Sequence, residues 1–205
     1  MMFGLENSIK MHPESENYFT KRREPFRFML NLGLIGSILL FGLVFFVFFA
    51  RNTHGKIPVP QVFHVSTIVM IASSIALILA NNYFFKEDFK KYRITIGFTF
   101  IAGILFIILQ LVGWNELISK GILLKNNMAA AFLYILSGLH IFHILIGILV
   151  LWVSFKSALQ NPKYVDAFIY SVNPPNILRL KLVSYYWHFV DLLWLVIYVF
   201  FIIKS

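Results

Sequence analysis

The chain has 205 residues, of which 59% are of hydrophobic type and only 13% are charged, with 23 Phe and a net charge of +9. A water-soluble domain carries about 25% charged residues, so this chain could hardly cover a water-facing surface, and lipid must be the solvent for most of it. It contains no Cys, which excludes disulfides, thiolate nucleophiles, zinc–thiolate sites and iron–sulfur ligation.

Residues 1–27 are polar and mixed in charge, with His12, Pro13 and the cluster Lys21, Arg22, Arg23. They read as a cytoplasmic surface segment. The apolar run that follows is too long for a signal peptide. Residues 28–205 then read as one domain with five runs able to cross a hydrocarbon core of about 30 Å at 1.5 Å per residue. These runs are about 28–50, 62–85, 94–114, 128–155 and 182–203. They are continuous and lack the alternation of a barrel strand. The expected fold is therefore all-α, a polytopic bundle of five transmembrane helices.

The connections are short. Arg51–Gln61 holds Pro58 and Pro60, and Lys86–Arg93 is a tight charged turn. Asn115–Asn127 is expected to hold a short interfacial helix. Lys156–Lys181, broken by Pro162 and Pro174-Pro175, is the longest loop. One side of the bundle collects Lys10, Lys21, Arg22, Arg23, Arg27, Lys86, Lys90, Lys91, Arg93, Lys156, Lys163, Arg179 and Lys181. The other has Arg51, Lys56, Lys120, Lys125 and Lys204. That bias puts the amino terminus in the cytoplasm and the carboxyl terminus outside. Basic residues so placed set orientation and meet anionic head groups, and nucleic acid is not an expected partner.

Small residues mark where helices approach. Ala72, Ala76 and Ala80 form a ridge on the second span, with Ser73 and Ser74 alongside. Gly33, Gly36 and Gly42 either thin the first span in the same way or are simply tolerated in a lipid-spanning helix.

An Asp near the centre of a membrane helix costs about 2.5–3.5 kcal/mol on the insertion scale, so it asks for a partner. Asp191 lies near the middle of the fifth span, with His188 one turn earlier on the same face. His140 and His143 have the same spacing in the fourth span. If these antiparallel spans are neighbours, the four groups reach similar depths and come within hydrogen-bonding range. Such a cluster suits three roles: hydrogen bonds that lock the bundle or hold a lipid head group, a proton relay, or a metal site of three His and one carboxylate. His64 is expected at the interface, and His12 and His54 in loops. Gln110 can bond within the bundle. Tyr185, Tyr186, Trp187 and Trp114 are placed as interfacial anchors. No Ser–His–Asp arrangement, phosphate loop or carboxylate pair is present.

The fifth span reads YYWHFVDLLWLVIYVFF, Tyr185 to Phe201. It resembles the carboxyl-terminal motif of cytochrome c oxidase subunit III through the six residues Tyr186 to Asp191 and through Trp194. The fourth span, SGLHIFHILIG, is similar to the family's Gly-x-His-x-x-His-x-x-x-Gly pattern through Gly138, His140, His143 and Gly147. Ser73-Ser74 and LQLVGWNELISKG, Leu109 to Gly121, also fit. Five spans match the short bacterial form.

The resemblance implies a non-catalytic accessory subunit of a haem–copper terminal oxidase that reduces oxygen to water with proton pumping in aerobic respiration. The implied donor is cytochrome c, with a quinol oxidase as the alternative. It also implies packing on subunit I, subunit II in the same complex, possible membership of a larger respiratory supercomplex, bound phospholipid, support of proton uptake, and a place in the bacterial cytoplasmic (inner) membrane. Haem and copper would sit in the partner subunits, with no catalytic, cofactor or metal residue in this chain. Structural, lipid or subunit contacts would fall to His140, His143, Trp187, His188, Asp191, Gly138, Gly147, Ser73, Ser74 and Trp194. Two departures stand out. Aligning on Phe41-Gly42 puts Ser37 where many relatives carry a membrane Glu, and Lys181 stands where many carry another. A stand-alone enzyme with a His-bound metal and a small transporter coupled through Asp191 are the readings from other classes.

Overall fold

The structure, a computed structural model, describes residues 13–51, 56, 58–124, 128–161 and 163–205, with side chains from 25 onward. His12, His54 and Lys125 lie outside the described residues. The elements are α1 (Pro13–Ala50), α2 (Val62–Phe85), α3 (Phe89–Ser119), α4 (Met128–Gln160), α5 (Tyr164–Val172) and α6 (Pro174–Ile203). Among the described residues there is no strand. Five helices are long and apolar enough to span a membrane: Pro25–Ala50 of α1, and α2, α3, α4 and α6. The five expected spans are thus present.

The helices overrun those spans because a helix need not stop where hydrocarbon stops. α1 begins at Pro13, inside the expected polar segment, and passes through Pro25. α3 starts at Phe89 and absorbs most of the charged turn. No separate interfacial helix fills 115–124, because α3 simply continues to Ser119. The short helix lies instead in the longest connection, as α5, which packs against α6.

Two turns are closed by the same hydrogen-bond pattern. After α2, Glu87 N–H donates to Phe84 O at 3.3 Å and Asp88 N–H to Tyr83 O at 3.0 Å. After α3, Gly121 N–H donates to Ile118 O at 2.9 Å and Ile122 N–H to Leu117 O at 3.0 Å. Both are Schellman caps, which need one left-handed residue. Gly121 supplies it at φ 73°, and Glu87 at φ 59°. Asp88 then caps α3, accepting from Lys91 N–H at 3.2 Å and pairing with Lys91 Nζ at 2.8 Å. The Lys91 hydrogen bonds hold the Asp88 carboxyl below the usual carboxylate range.

The most extensive contact is between α2 and α3, followed by α3 on α4, α4 on α6 and α2 on α6. These four helices close on one another. α1 packs at the outside on α6 and α4 through Leu34, Phe41 and Phe48. Nothing lies within 4 Å of where a Cβ would stand on Gly33, Gly36 or Gly42. They form no contact ridge against the other described helices of this chain. At one end of the bundle Tyr164 Oη donates to Glu87 at 2.8 Å, and Arg93 reaches Asn161 O at 3.4 Å. Arg27 lines a pocket with Lys181 at the start of α6. Among the described residues, Arg27 and Lys181 thus come together, and Arg93 ties α3 to the end of α4.

An L side chain at the Gly121 position would be held in a left-handed conformation that costs about 1–2 kcal/mol. Gly121→Ala is expected to lower the thermal unfolding midpoint in mild detergent, whereas Lys120→Ala, one residue earlier at φ −80°, leaves it within error.

Candidate functional site

The polar side chains of the membrane region lie mainly along one seam. α2 and α6 run antiparallel and meet through paired groups from end to end. His64 Nδ1 pairs with Tyr198 Oη. Trp194 Nε1–H donates to Thr67 Oγ1 at 3.0 Å, and Trp187 Nε1–H to Ser73 Oγ at 3.2 Å. Ser74 Oγ lies 2.8 Å from His188 Nδ1. Asn81 Nδ2 donates to Ser184 Oγ at 2.8 Å, and that hydroxyl lies 3.1 Å from Asn81 Oδ1. From His64–Tyr198 through Thr67–Trp194 to Asn81–Ser184 the α6 partners fall as the α2 positions rise, which is the register of an antiparallel pair. Interhelical hydrogen bonds in lipid contribute about 0.6 kcal/mol each on average, so a series of five fixes register more than it adds bulk stability.

Trp187 is the centre of this seam. Its side chain is 1% exposed. A Cβ on Gly103 of α3 would stand 2.7 Å from its ring, and one on Gly147 of α4 would stand 3.1 Å away. The indole therefore fills the space that two glycines leave while its N–H is held by α2. It is a core residue that joins four helices, not the interfacial anchor its sequence position suggested. Gly138 works the same way more loosely: a Cβ there would sit 3.5 Å from Trp114. The Trp114 indole N–H donates to Ser137 Oγ at 3.0 Å. Gln110 Nε2 reaches Ser66 Oγ at 3.0 Å, confirming a bond inside the bundle.

No hydrogen bond joins the two His of α4 to the His and Asp of α6. His143 Nδ1–H donates to Leu139 O at 2.8 Å, and its Nε2 lies 2.8 Å from Ser37 Oγ on α1. Ser37 also lies 2.8 Å from Gly33 O, so its one proton is shared between carbonyl and imidazole. Tyr186 Oη ties α6 to the His143 carbonyl at 2.9 Å. His140 is fully buried, with neither ring nitrogen bonded. It stacks at 5.0 Å on Trp194 and meets Phe106 edge-on at 5.5 Å. It serves there as an aromatic plate. His188 turns to α2. Asp191 is 6% exposed, and neither oxygen has a hydrogen-bond partner. Side chains sharing a helix face need not share a neighbour, which is why equal spacing misled here. Among the described residues no group of three or more His, Asp or Glu converges as a metal site would require.

Sequence reasoning found Ser73 and Ser74 but missed Ser37, Thr67, Asn81, Ser184 and Tyr198 as partners. The available signal was a polar stripe: Thr67, Ser74 and Asn81 at intervals of seven, facing Ser184, His188, Asp191 and Tyr198 at helical intervals.

A five-span bundle whose buried hydroxyls, indoles and imidazoles are largely spent on one another defines a polytopic helical membrane protein. The family model described as cytochrome c oxidase subunit III matches residues 14–205, and the chain belongs to that family. It is 28% identical over 178 residues to cytochrome c oxidase subunit 3 of Bacillus sp. (strain PS3), covering 83% of this chain and 81% of the relative. Against the Bacillus subtilis (strain 168) protein of the same name it is 26% identical over 179 residues, with the same coverage. The probable cytochrome c oxidase subunit 3 of Mycobacterium tuberculosis (strain ATCC 25618 / H37Rv) is 29% identical over 186 residues, 83% of this chain and 85% of that one.

Gly103→Ala is expected to cost about 1–3 kcal/mol by overpacking, read as a lower unfolding midpoint in detergent. Trp187→Phe removes the ring edge that clashes, so the double variant should lose less than the sum of the single losses. Strict additivity would mean that the two residues do not meet.

Proposed function

We propose that this chain is the non-catalytic subunit III of a haem–copper terminal oxidase that reduces oxygen to water with proton pumping. The family match over residues 14–205 carries this reading. The use of the central polar side chains to fasten α2, α3, α4 and α6 together supports it, since an accessory subunit needs a rigid surface and not a reacting group. Trp187, Trp194, Ser73, His143 and His188 hold helices; Gly138 and Gly147 admit rings. The oxidase's haem and copper belong to its partner subunits I and II, with subunit I the direct packing neighbour. The electron donor is cytochrome c, as the names of the relatives state for those proteins. Its place is the bacterial inner membrane, with the basic end of the bundle in the cytoplasm.

Bound phospholipid is part of the proposal. A pocket of about 400 Å³ opens between α1, α4 and α6, lined by Leu30, Ile146, Val150 and Leu182, with Arg179 among its walls. Arg27 and Lys181 line a smaller pocket of about 140 Å³ that shares Leu178 with it. Apolar walls beside three cations suit an acyl chain and its anionic head group. Lys181 would here contribute a cation where many relatives place a Glu.

Purification through a tag on this chain in mild detergent is expected to bring down haem absorbance, copper and oxygen consumption supported by reduced cytochrome c. A colourless chain that is active alone would reject the assignment, and turnover with quinol only would change the donor. In the same preparation, Arg27→Gln with Arg179→Gln should lower the retained anionic phospholipid by about one per chain on native mass spectrometry, with haem content unchanged.

A further inference from the structure

We propose that the outer side of the seam between α2 and α6 is the face on which a transmembrane helix of a partner subunit lies, and that this helix delivers a hydrogen-bond-donating side chain to Asp191. The inference rests on the reading of the chain as an oxidase subunit and adds to it which face docks and through what chemistry.

Three observations converge on this face. First, Asp191 lines a pocket of about 170 Å³ with Ser74, Met70, Ile71, Ile75 and Leu195. The pocket has room for one side chain, and its walls offer one hydroxyl and a carboxyl group whose two oxygens are both unbonded. The Ser74 hydroxyl, 2.8 Å from His188 Nδ1, also stands beside this carboxyl, but its single proton can serve at most one of the two oxygens. Second, Asp191 stands twelve residues before the end of α6 at Ile203, about 18 Å along the axis. That is near mid-membrane, beyond the reach of lipid head groups. Hydrocarbon has no donor to offer, and a buried polar group left unsatisfied is costly. A protein side chain is the donor available at that depth. Third, polar groups that pair across this seam also reach the surface along it: His64 is exposed, and Asn81, His188 and Tyr198 are half-buried. The outward face of α4 instead presents Phe142, Leu145, Leu149 and Val153, as suits lipid. A polar stripe in hydrocarbon is the mark of a helix-packing face.

The test uses the intact complex in membranes. A benzophenone amino acid replaces Ile71, Ile75 or Leu192 on the seam, and Leu149 or Val153 on α4 as controls. Irradiation is expected to join the seam positions to a haem-bearing subunit and to leave the α4 positions attached to lipid. Adducts to the haem subunit from α4 but not from the seam would overturn the inference while leaving the oxidase assignment standing. So would seam adducts to a second copy of this chain or to lipid alone. If no haem accompanies the unaltered chain, the oxidase assignment fails first, and this inference with it. In parallel, Asp191→Leu is expected to lower haem per chain by about tenfold, with Asp191→Asn, which keeps one acceptor oxygen, losing less. Equal haem recovery in both variants and the unaltered chain would show that Asp191 receives nothing from its neighbour.

Discussion

One indole holds this bundle in register. Trp187 lies against Gly103 and Gly147 and donates its N–H to Ser73, so α2, α3, α4 and α6 all meet at a single side chain. In lipid there is no hydrophobic drive to push helices together, so close steric fit and polar pairing must do that work. Trp187 supplies both at once. Phe63 against Gly113 repeats the steric half of the device nearer the other end, where a Cβ would come within 2.5 Å of the ring. Trp194 repeats the polar half through Thr67.

With the four central helices fixed in this way, most polar side chains at depth have an internal use. Ser74 orients His188, Leu139 O and Ser37 orient His143, and Asn81 and Ser184 serve each other. Ser37 is instructive. It stands where many relatives are expected to carry a Glu, yet it still supplies a polar joint between α1 and α4. In this chain the partner of His143 on α1 is a neutral hydroxyl. His140 and Asp191 depart from this pattern: neither the imidazole nitrogens nor the carboxyl oxygens have a hydrogen-bond partner among the described residues.

The five long apolar helices were readable because lipid tolerates only long, uninterrupted apolar helices, and the apolar run 62–85 coincides with α2. Helix ends beyond the hydrocarbon were not. α4 runs on to Gln160 and α1 starts at Pro13, where charged and polar residues are as helical as apolar ones. His140, His143, His188 and Asp191 were correctly singled out as buried or partly buried polar groups, but their partners were not legible. Periodicity gives the face of a helix, not the identity of what covers it. The hydroxyl partners also escaped notice because Ser and Thr in such helices commonly bond back to their own backbone. Thr67 to Phe63 O and Ser137 to Leu133 O do so here while also accepting from an indole.

The peripheral seat of α1 bears on how the molecule is made. α1 leaves the ribosome before α4 and α6, yet the surfaces it packs on belong to those two helices, and its polar joint to His143 needs a residue 106 positions later. During synthesis it must therefore stay in the bilayer without these two partners until they follow. The bare glycines and the broad Phe- and Leu-rich exterior of α1 suit it to that wait. Assembly closes from α4 and α6 back onto a helix made before them.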